Sequence, residues 1–369
     1  MRIGILTLPF NNNYGGYLQA YALITVLKNM GHDVELINRR RNKTKFNKQI
    51  TYFIKTLIKI LLGRKHGPVF FDEEYYFRQK GKYLMPFVDK HISPKTKPLY
   101  SSEELKQDLV DKYDAVIVGS DQVWRPIYVP NIEDYFLDVI CDKKVKKIAY
   151  AASFGTDTPE YTKVQIEKCG QLIERFDFVS IREKGGIGVF RRFGWKRADV
   201  KVVLDPTMLL PSEHYKKYIK ANNSRYIATY LLDNNKNKEM ICNQVVESLK
   251  LKIVPLLQKS SEPMLSIEDW LSIIYNSQFV ITDSFHGTVF CLLFNRPFIV
   301  VANKERGLDR FKSLLSTFDL VDRICNNTDV DKIINKDIDW RKVNLLLDDF
   351  KEKSYSFINE ALSVNKVTL

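Results

Sequence analysis

The chain has 369 residues, of which 45% are hydrophobic, and it carries a formal net charge of +13 at pH 7. At this length one hydrophobic core stops growing, so two domains are expected, and the excess of positive charge calls for an acidic partner. Five cysteines without a CxxC pair argue against a zinc cage or a disulfide framework, and the first residues lack a secretory pattern, so we expect a cytoplasmic protein.

Strands and helices alternate from the first residues onward. The opening predicts a strand (RIGILTL), a loop (PFNNNYGG), a helix (YLQAYALITVLKNM) and a second strand (DVELIN), which is a βαβ start. Four further apolar runs end in polar or glycine-containing turns: DAVIVGSD, KIAYAASFG, FDFVSIRE and VKVVLDP. Such runs are typical of parallel strands with turns that face a ligand. We therefore predict a first α/β domain over residues 1–205.

Two prolines interrupt this alternation in DPTMLLPSEHY, residues 205–215, which we interpret as a linker. Beyond it, strands alternate with apolar helical runs: RYIATYLL, KEMICNQVVESL, KIVPLL, SIEDWLSIIYNS, QFVIT, TVFCLLF, PFIVV and LDRFKSLLSTF. This pattern predicts a second, smaller α/β domain over residues 206–339. Residues 340–369 predict a long closing helix.

A basic insertion at about residues 39–66 interrupts the first domain. Between Glu35 and Asp72 the chain has ten Lys and Arg residues and no acidic one. Within KQITYFIKTLIKILLGRK, residues 48–65, the apolar residues share one face of a predicted helix, and Lys55 and Lys59 lie on the opposite face. Two interpretations are open: a helix packed on the first domain, or an interfacial helix that contacts anionic lipid at the inner face of the membrane.

Four turns that follow strands carry side chains suited to an anionic or sugar ligand: NYGG at 13–16, GSDQ at 119–122, SIRE at 180–183 and DSFHG at 283–287. Singly, each has a structural explanation as a cap, a turn or a surface ion pair. Together they predict one site, because turns of doubly wound domains open on one crevice. No dinucleotide fingerprint, phosphate loop or HExxH motif is present, and the scattered His, Cys and Asp residues predict no metal site.

Six motifs in order resemble the polysaccharide pyruvyl transferase family from residue 3 to about 315: NNYGGYLQAYAL, IVGSDQVW, YAASFG, SIREKGG, VLDPT and ITDSFHGTVFCLLFNRPFI. The resemblance implies an α/β fold with two Rossmann-like domains facing a cleft, a GT-B-like arrangement. It also implies transfer of pyruvate from phosphoenolpyruvate to two hydroxyls of a sugar as a ketal, without a cofactor. The acceptor would be a sugar or a lipid-linked oligosaccharide, a precursor of a capsule or exopolysaccharide. Arg125 departs from the small polar residue expected after SDQVW.

Under this interpretation both domains contribute to catalysis. His286 would move protons, because histidine changes charge near neutral pH, and Asp121, or alternatively Asp283, would accept the hydroxyl proton. Arg182 and Arg310 would clamp the two anionic groups of the donor. The donor-binding set is Arg182, Arg310, Ser284, His286, Gly287 and Thr288. The acceptor-binding set is Asn13, Tyr14, Gly15, Gln19, Ser120, Asp121, Gln122 and Trp124. We expect alanine at His286 or Arg182 to lower turnover and leave stability nearly unchanged.

Three other functions stay open. A GT-B glycosyltransferase would need a nucleotide pocket, whereas the SFHG turn with Arg310 fits a small double anion better. A nucleic-acid-binding protein would account for the charge, but the charge lies in one segment without a recognised binding motif, so no nucleic-acid partner is expected. A glycan-binding protein without turnover is disfavoured by the presence of His286 and Arg182.

Overall fold

The computed structural model describes the chain except for residues 44–45, 65–68, 71–72, 143, 259–261, 302–307, 326–328 and 364–369. In the described part, ten strands form two parallel sheets. The first has the order β2-β1-β3-β4-β5-β6 and contains β1 (Arg2–Leu6), β2 (Asp33–Leu36), β3 (Ala115–Asp121), β4 (Lys146–Ala152), β5 (Phe178–Ile181) and β6 (Lys201–Val202). The second has the order β10-β9-β7-β8 and contains β7 (Tyr226–Tyr230), β8 (Lys252–Pro255), β9 (Phe279–Thr282) and β10 (Phe298–Val300). Each strand coincides with a predicted apolar run.

Helices connect the strands and cover both sheets. Their bounds are α1 (Tyr14–Asn29), α2 (Phe46–Leu61), α3 (Glu73–Lys80), α4 (Met85–His91), α5 (Ser102–Leu109), α6 (Lys163–Ile173), α7 (Gly185–Phe193), α8 (Ser212–Lys216), α9 (Lys236–Leu249), α10 (Ile267–Asn276), α11 (Phe285–Leu293), α12 (Leu308–Thr317), α13 (Val330–Ile334) and α14 (Trp340–Ser363). The sequence predicts the longer ones. It does not predict α3, α4 and α5, which lie between the basic insertion and the run DAVIVGSD.

In each sheet, the strand that comes first in the sequence lies inside the sheet, and the later strands are added on both of its sides. β1 pairs with β2 on one side and β3 on the other, and β7 pairs with β8 and β9 in the same way. In doubly wound sheets the ligand crevice opens at the carboxyl ends of strands where the order reverses. The helices α1 and α11 begin just after β1 and β9, so their N-termini lie at these two reversal points.

The two sheets share one hydrophobic core. The strands β3, β4, β7 and β9 are buried along their whole length, as expected for strands covered on both faces. Buried residues on α1, such as Leu23, belong to the same cluster as Trp270 and Phe290 of the second half. Separate clusters cover the opposite faces of the first and second sheets. The two halves are therefore packed against each other through apolar side chains.

The segment 205–215, which the sequence predicts to be a linker, is packed into the fold. Asp205, Thr207 and Tyr215 are buried, and the Tyr215 hydroxyl donates to the Thr207 carbonyl at 2.9 Å. The Tyr215 ring also packs edge-on against Phe290 of α11. Pro206 begins a short helical turn and Pro211 precedes the first residue of α8, so neither proline opens an irregular connection. The division of the chain at residue 205 stays a prediction.

The helix α14 returns from the second half to the first sheet. The Ser354 hydroxyl accepts a hydrogen bond from the Leu204 amide at 3.0 Å. The Lys146 ammonium, at the start of β4, donates to the carbonyls of Ala361 and Leu362 at 3.3 and 3.2 Å. This helix therefore holds the two halves together over Trp340–Ser363.

Candidate active site

Arg182 lies at the centre of a buried group of carboxylates. Its Nη1 is 2.9 Å from Asp205 Oδ2, its Nη2 is 3.4 Å from Asp121 Oδ1, and its Nε is 3.8 Å from Glu183 Oε2. The guanidinium also lies 4.1 Å from the ring centroid of Phe285, which belongs to the second half. Because its nitrogens face carboxylates of the same chain, Arg182 is arranged to position them. This geometry argues against our prediction that Arg182 clamps the donor.

His286, the second residue of α11, meets Asp205 across the junction of the two halves. Nε2 of His286 lies 3.5 Å from Oδ2 of Asp205, a separation that suits an ion pair. Asp205 also accepts from the hydroxyls of Ser120 at 3.2 Å and Thr207 at 2.7 Å. Burial raises the pKa of Asp205, but the opposing effects of His286 and Arg182 outweigh it and hold this pKa well below its usual range. Asp205 is therefore an anion at neutral pH that orients the imidazole.

The sequence did not identify Asp205 as a site residue. It stands inside VLDPT, one of the motifs that carry the family resemblance, but we assigned it to the linker. The available signal was its position directly after β6, where the turns of a parallel sheet face the crevice.

Gly15 makes room for the His286 ring. A Cβ atom built on Gly15 would lie 2.0 Å from Nδ1 and 2.4 Å from Cγ of His286, whereas one on Gly16 would have no neighbour closer than 3.7 Å. The two helix starts at the reversal points of the sheets are therefore in direct contact. Gly15, predicted to approach the acceptor, instead approaches the imidazole.

Three residues of the predicted acceptor set are buried in packing contacts. Tyr14 stacks on Trp270 at 5.3 Å and donates its hydroxyl to a backbone carbonyl of the second half. Gln19 donates to the Thr7 hydroxyl and accepts from the Ser120 amide. Trp124 is fully buried, and its Nε1 donates to the Tyr135 carbonyl at 3.0 Å. These predictions are corrected: the three side chains support the turns and do not line open space.

The remaining predicted acceptor residues divide into two groups. Ser120 and Asp121 join the carboxylate cluster through Asp205 and Arg182. Asn13 caps α1 by accepting from the Gly15 amide at 3.1 Å. Gln122 packs against Gly155, where a Cβ atom would lie 1.9 Å from its Oε1. Both side chains therefore shape turns.

Arg125 pairs with a neighbouring side chain and does not extend toward the predicted acceptor site. It binds Glu160 at 2.6 Å and lies over the Tyr128 ring. This pairing accounts for a large charged residue where the resemblance led us to expect a small polar one.

The DSFHG turn is built from its own hydrogen bonds. The Ser284 hydroxyl accepts from the Gly287 amide at 3.3 Å, and the Thr288 hydroxyl donates to the Ser284 carbonyl at 3.1 Å. A Cβ on Gly287 would lie 2.4 Å from the Thr282 hydroxyl, so glycine is required there for packing. Asp283 accepts from the Leu232 amide and from Lys238. That pairing makes Asp283 unsuited to accept a substrate proton, and the turn mainly places His286.

Arg310, at the start of α12, approaches the same carboxylates from the second half. Burial lowers the pKa of Arg310 to about 10, and the charge of Arg182 acts in the same direction. The Ser313 hydroxyl of α12 accepts from the Lys184 amide at 2.9 Å, which fixes this helix against the first half. The cavity between Arg182 and Phe285 is only about 20 Å³, so the two halves touch here. A bound anion would favour the charged form of Arg310.

Two further features of the described residues concern ligands and membranes. No group of three or more His, Cys, Asp or Glu side chains among them is arranged to hold a metal ion. Within the same ranges, no helix combines the length and apolar character needed to cross a bilayer.

The polysaccharide pyruvyl transferase family model matches residues 13–305. The chain belongs to this family. The match includes Gly15, Arg182, Asp205 and His286, so both sides of the cluster lie within it. No curated protein matches the sequence significantly. Membership confirms the resemblance and assigns the chain to transferases that act on polysaccharides.

Solved structures of low sequence identity share the overall architecture. UDP-GlcNAc 2-epimerase from Methanocaldococcus jannaschii superposes with a TM-score of 0.54 at 12% identity, covering 93% of this chain and 95% of the other. A putative UDP-N-acetylglucosamine 2-epimerase from Listeria monocytogenes gives 0.51 at 11% identity with 100% of both chains covered. Arabidopsis thaliana UGT89C1 complexed with UDP gives 0.51 at 11% identity, covering 98% and 99%. The chain therefore has the predicted GT-B fold, with two Rossmann-like domains facing a cleft.

Proposed function

We propose that this family member transfers a pyruvyl group from phosphoenolpyruvate to two hydroxyls of a sugar in a cell-surface polysaccharide precursor such as that of a capsule or exopolysaccharide. The observation that carries the proposal is the buried His286–Asp205 pair at the junction of the two domains, inside the residues that the family model matches. The reaction needs no cofactor and takes place in the cytoplasm, where the donor is made.

The proposed reaction balances without an oxidant or reductant. C3 of phosphoenolpyruvate gains a proton, the first sugar hydroxyl bonds to C2, and the bond between C2 and the phosphate oxygen breaks. The second hydroxyl then bonds to C2 and closes the ketal. The two sugar hydroxyls lose two protons in total. One of them makes up for the proton that C3 gains, and the other leaves on inorganic phosphate.

The side chains of the cluster suit separate parts of this reaction. His286 would deliver the proton to C3 and accept one from a hydroxyl, with Asp205 holding the ring and balancing its charge. Arg310 would bind the anionic groups of the donor. Asp121 is the proposed acceptor of the other hydroxyl proton, and Arg182 positions both carboxylates. Because His286, Asp121 and Arg310 are all buried, we propose that the two domains separate to admit the donor.

A cavity beside the first loop offers a better acceptor site than the buried Tyr14 and Trp124. It has a volume of about 330 Å³, and its lining includes Phe10, Asn12, Arg40, Arg41, Phe77 and Tyr100. The Arg40 guanidinium lies 5.0 Å from the Phe77 ring centroid, so aromatic faces and positive charge occur together. Asn12 is three residues from Gly15, which touches His286. We place the acceptor saccharide, with any phosphate that it carries, in this cavity.

Replacing Arg40 with alanine is expected to raise the KM for the acceptor about tenfold or more, because a charge-assisted contact contributes roughly 1.5–3 kcal/mol. The KM for phosphoenolpyruvate should stay within about twofold, since Arg310, the proposed donor-binding residue, does not line this cavity. Steady-state kinetics with each substrate varied in turn checks this. Arg175→Ala is the matched control, because Arg175 is partly exposed and pairs with Asp138 at 3.4 Å, and neither residue lines the cavity. Equal acceptor KM values for the two variants would remove the cavity from the acceptor site.

Gly15→Ala is expected to lower turnover about a hundredfold, the loss that follows a displacement of about 1 Å at a catalytic group. Its Cβ would occupy space held by the His286 ring, whereas the Cβ of Gly16→Ala would make only ordinary van der Waals contacts with Asn13, at 3.7 Å or more, and should keep near-native turnover. Turnover and thermal melting of both variants check this. Equal activities would mean that His286 does not depend on the contact.

The donor is tested by measuring phosphate release across a panel of free and lipid-linked sugars, with phosphoenolpyruvate or UDP-sugars as the second substrate. We expect release only when phosphoenolpyruvate and a suitable sugar are both present, with an acid-labile adduct detected by mass. Consumption of a UDP-sugar without phosphoenolpyruvate would favour a glycosyltransferase and contradict the proposal.

A further inference from the structure

The helix α2, at Phe46–Leu61, contacts the rest of the protein through an unexpected side. Its buried and half-buried residues are Gln49, Tyr52, Phe53 and Thr56. The Tyr52 hydroxyl lies 2.5 Å from that of Tyr76 on α3, and the Phe53 ring stacks on Phe70 at 5.2 Å. A narrow stripe of polar and aromatic side chains thus attaches the helix to the protein.

The aliphatic side of α2 faces away from the protein. Leu61 is 84% exposed, Ile54 is 51% exposed and Ile50 is 44% exposed. The exposed apolar residues of the helix are Phe46, Ile50, Ile54, Leu57, Ile58, Ile60 and Leu61. A helix packed on its domain would bury this side. The contacts of α2 with the protein thus leave its aliphatic side as an exposed apolar patch of the kind that marks an interaction site.

The charge around α2 indicates what covers this patch. At about 100° per residue, Lys48, Lys55 and Lys59 lie together on the side away from the aliphatic residues. The sequence has no acidic residue from 36 to 71. A second copy of the chain would bring two such basic segments together, which is electrostatically unfavourable. An anionic bilayer supplies hydrocarbon for the aliphatic side and negative charge for the lysines.

Aromatic residues next to α2 extend the same surface. Phe70 is 61% exposed, and Tyr75 and Tyr76 at the start of α3 are about 40% exposed. Rings of this kind favour the boundary between water and hydrocarbon. With 16 residues, α2 is about 24 Å long, enough to lie in the surface and too short to span a bilayer.

We propose that α2 is an interfacial helix that docks this protein on an anionic lipid bilayer. The docking stands on the exposed surface alone and does not depend on the proposed reaction. One consequence does rest on the proposed function: Arg40 and Arg41, near the start of the basic interval, line the acceptor cavity, so docking would present that cavity to a membrane-borne saccharide.

Binding to vesicles tests the proposal without any substrate. The full-length protein should bind vesicles of phosphatidylglycerol and phosphatidylcholine at least about tenfold more tightly than vesicles of phosphatidylcholine alone, and salt should weaken the binding. The double variants Ile54→Ser with Leu57→Ser and Lys55→Glu with Lys59→Glu should each lose at least about tenfold in affinity. Leu345→Ser and Lys332→Glu, at exposed positions of α14 and α13, are matched controls expected to bind like the unmodified protein.

Two results would overturn the docking. One is equal affinity of the α2 double variants and the unmodified protein for anionic vesicles. The other is a lipid-free dimer that Leu57→Ser dissociates, combined with no vesicle binding, which would make the patch a contact between copies. Neither result bears on phosphate release with a free sugar, so failure of docking and failure of the proposed reaction are distinguishable.

Discussion

Replacing His286 with asparagine is expected to lower the turnover of pyruvyl transfer by at least about a hundredfold, the lower end for the loss of a general acid or base. The fold should remain, because Asp205 keeps Arg182, Ser120 and Thr207 as partners when the imidazole is removed. Asparagine also fits the space that Gly15 leaves for the ring. The kcat and the thermal melting curve of the purified variant check both parts.

The matched control for this variant is His32→Asn, which changes a histidine just before β2, at the amino ends of the strands. It should leave turnover unchanged, since the crevice opens at the opposite ends. If His286→Asn also turned over at a near-native rate, His286 would not move protons. If it unfolded, its role would be structural.

Arg182→Ala is expected to destabilise the protein strongly, by about 3–5 kcal/mol, because the buried carboxylates would be left without their cation. Those carboxylates are Asp121, Asp205 and Glu183, and the Arg182 side chain is only 1% exposed. The structure thus replaces the sequence-based expectation that stability would hardly change. Chemical denaturation and turnover of the variant are the measurements.

Two further variants separate the charge of Arg182 from its geometry. Arg182→Lys should recover much of the stability but little of the turnover, because one ammonium cannot hold Asp205 and Asp121 in the same fixed arrangement. Arg125→Ala breaks charge-assisted hydrogen bonds of a buried arginine to Glu160, which is 40% exposed, so its cost should be about 1.5–3 kcal/mol, less than that of Arg182→Ala. An Arg182→Ala variant as stable as Arg125→Ala would show that the cluster does not depend on the guanidinium.

The strands could be predicted from the sequence because buried parallel strands appear as continuous apolar runs, as in β3 and β4. The helices α3 to α5 are short, at seven or eight residues each, and helices of this length owe their position mainly to tertiary contacts. The prolines of residues 205–215 were misleading, because proline begins a helical turn as readily as it opens a loop.

For the site, the sequence identified turns but not the direction of their side chains. His286, Asp121 and Arg182 do come together, since parallel strands place their turns on one edge. The burial of Tyr14 beneath Trp270 could not be foreseen, because it depends on how the second half packs against the first. The exposure of the α2 aliphatic side could not be foreseen either, because a packed helix and an interfacial helix have the same amphipathic pattern.

The most direct test of the proposed reaction follows the oxygen that bridges C2 and phosphorus in phosphoenolpyruvate. Donor carrying heavy oxygen at this position is incubated with the protein and the accepting sugar, and both products are analysed by mass spectrometry. We predict that the label leaves entirely with inorganic phosphate, equimolar with an acid-labile ketal that carries none of it. Label retained in free pyruvate, with phosphate attached to the sugar, would mean that the phosphorus–oxygen bond breaks and would contradict pyruvyl transfer.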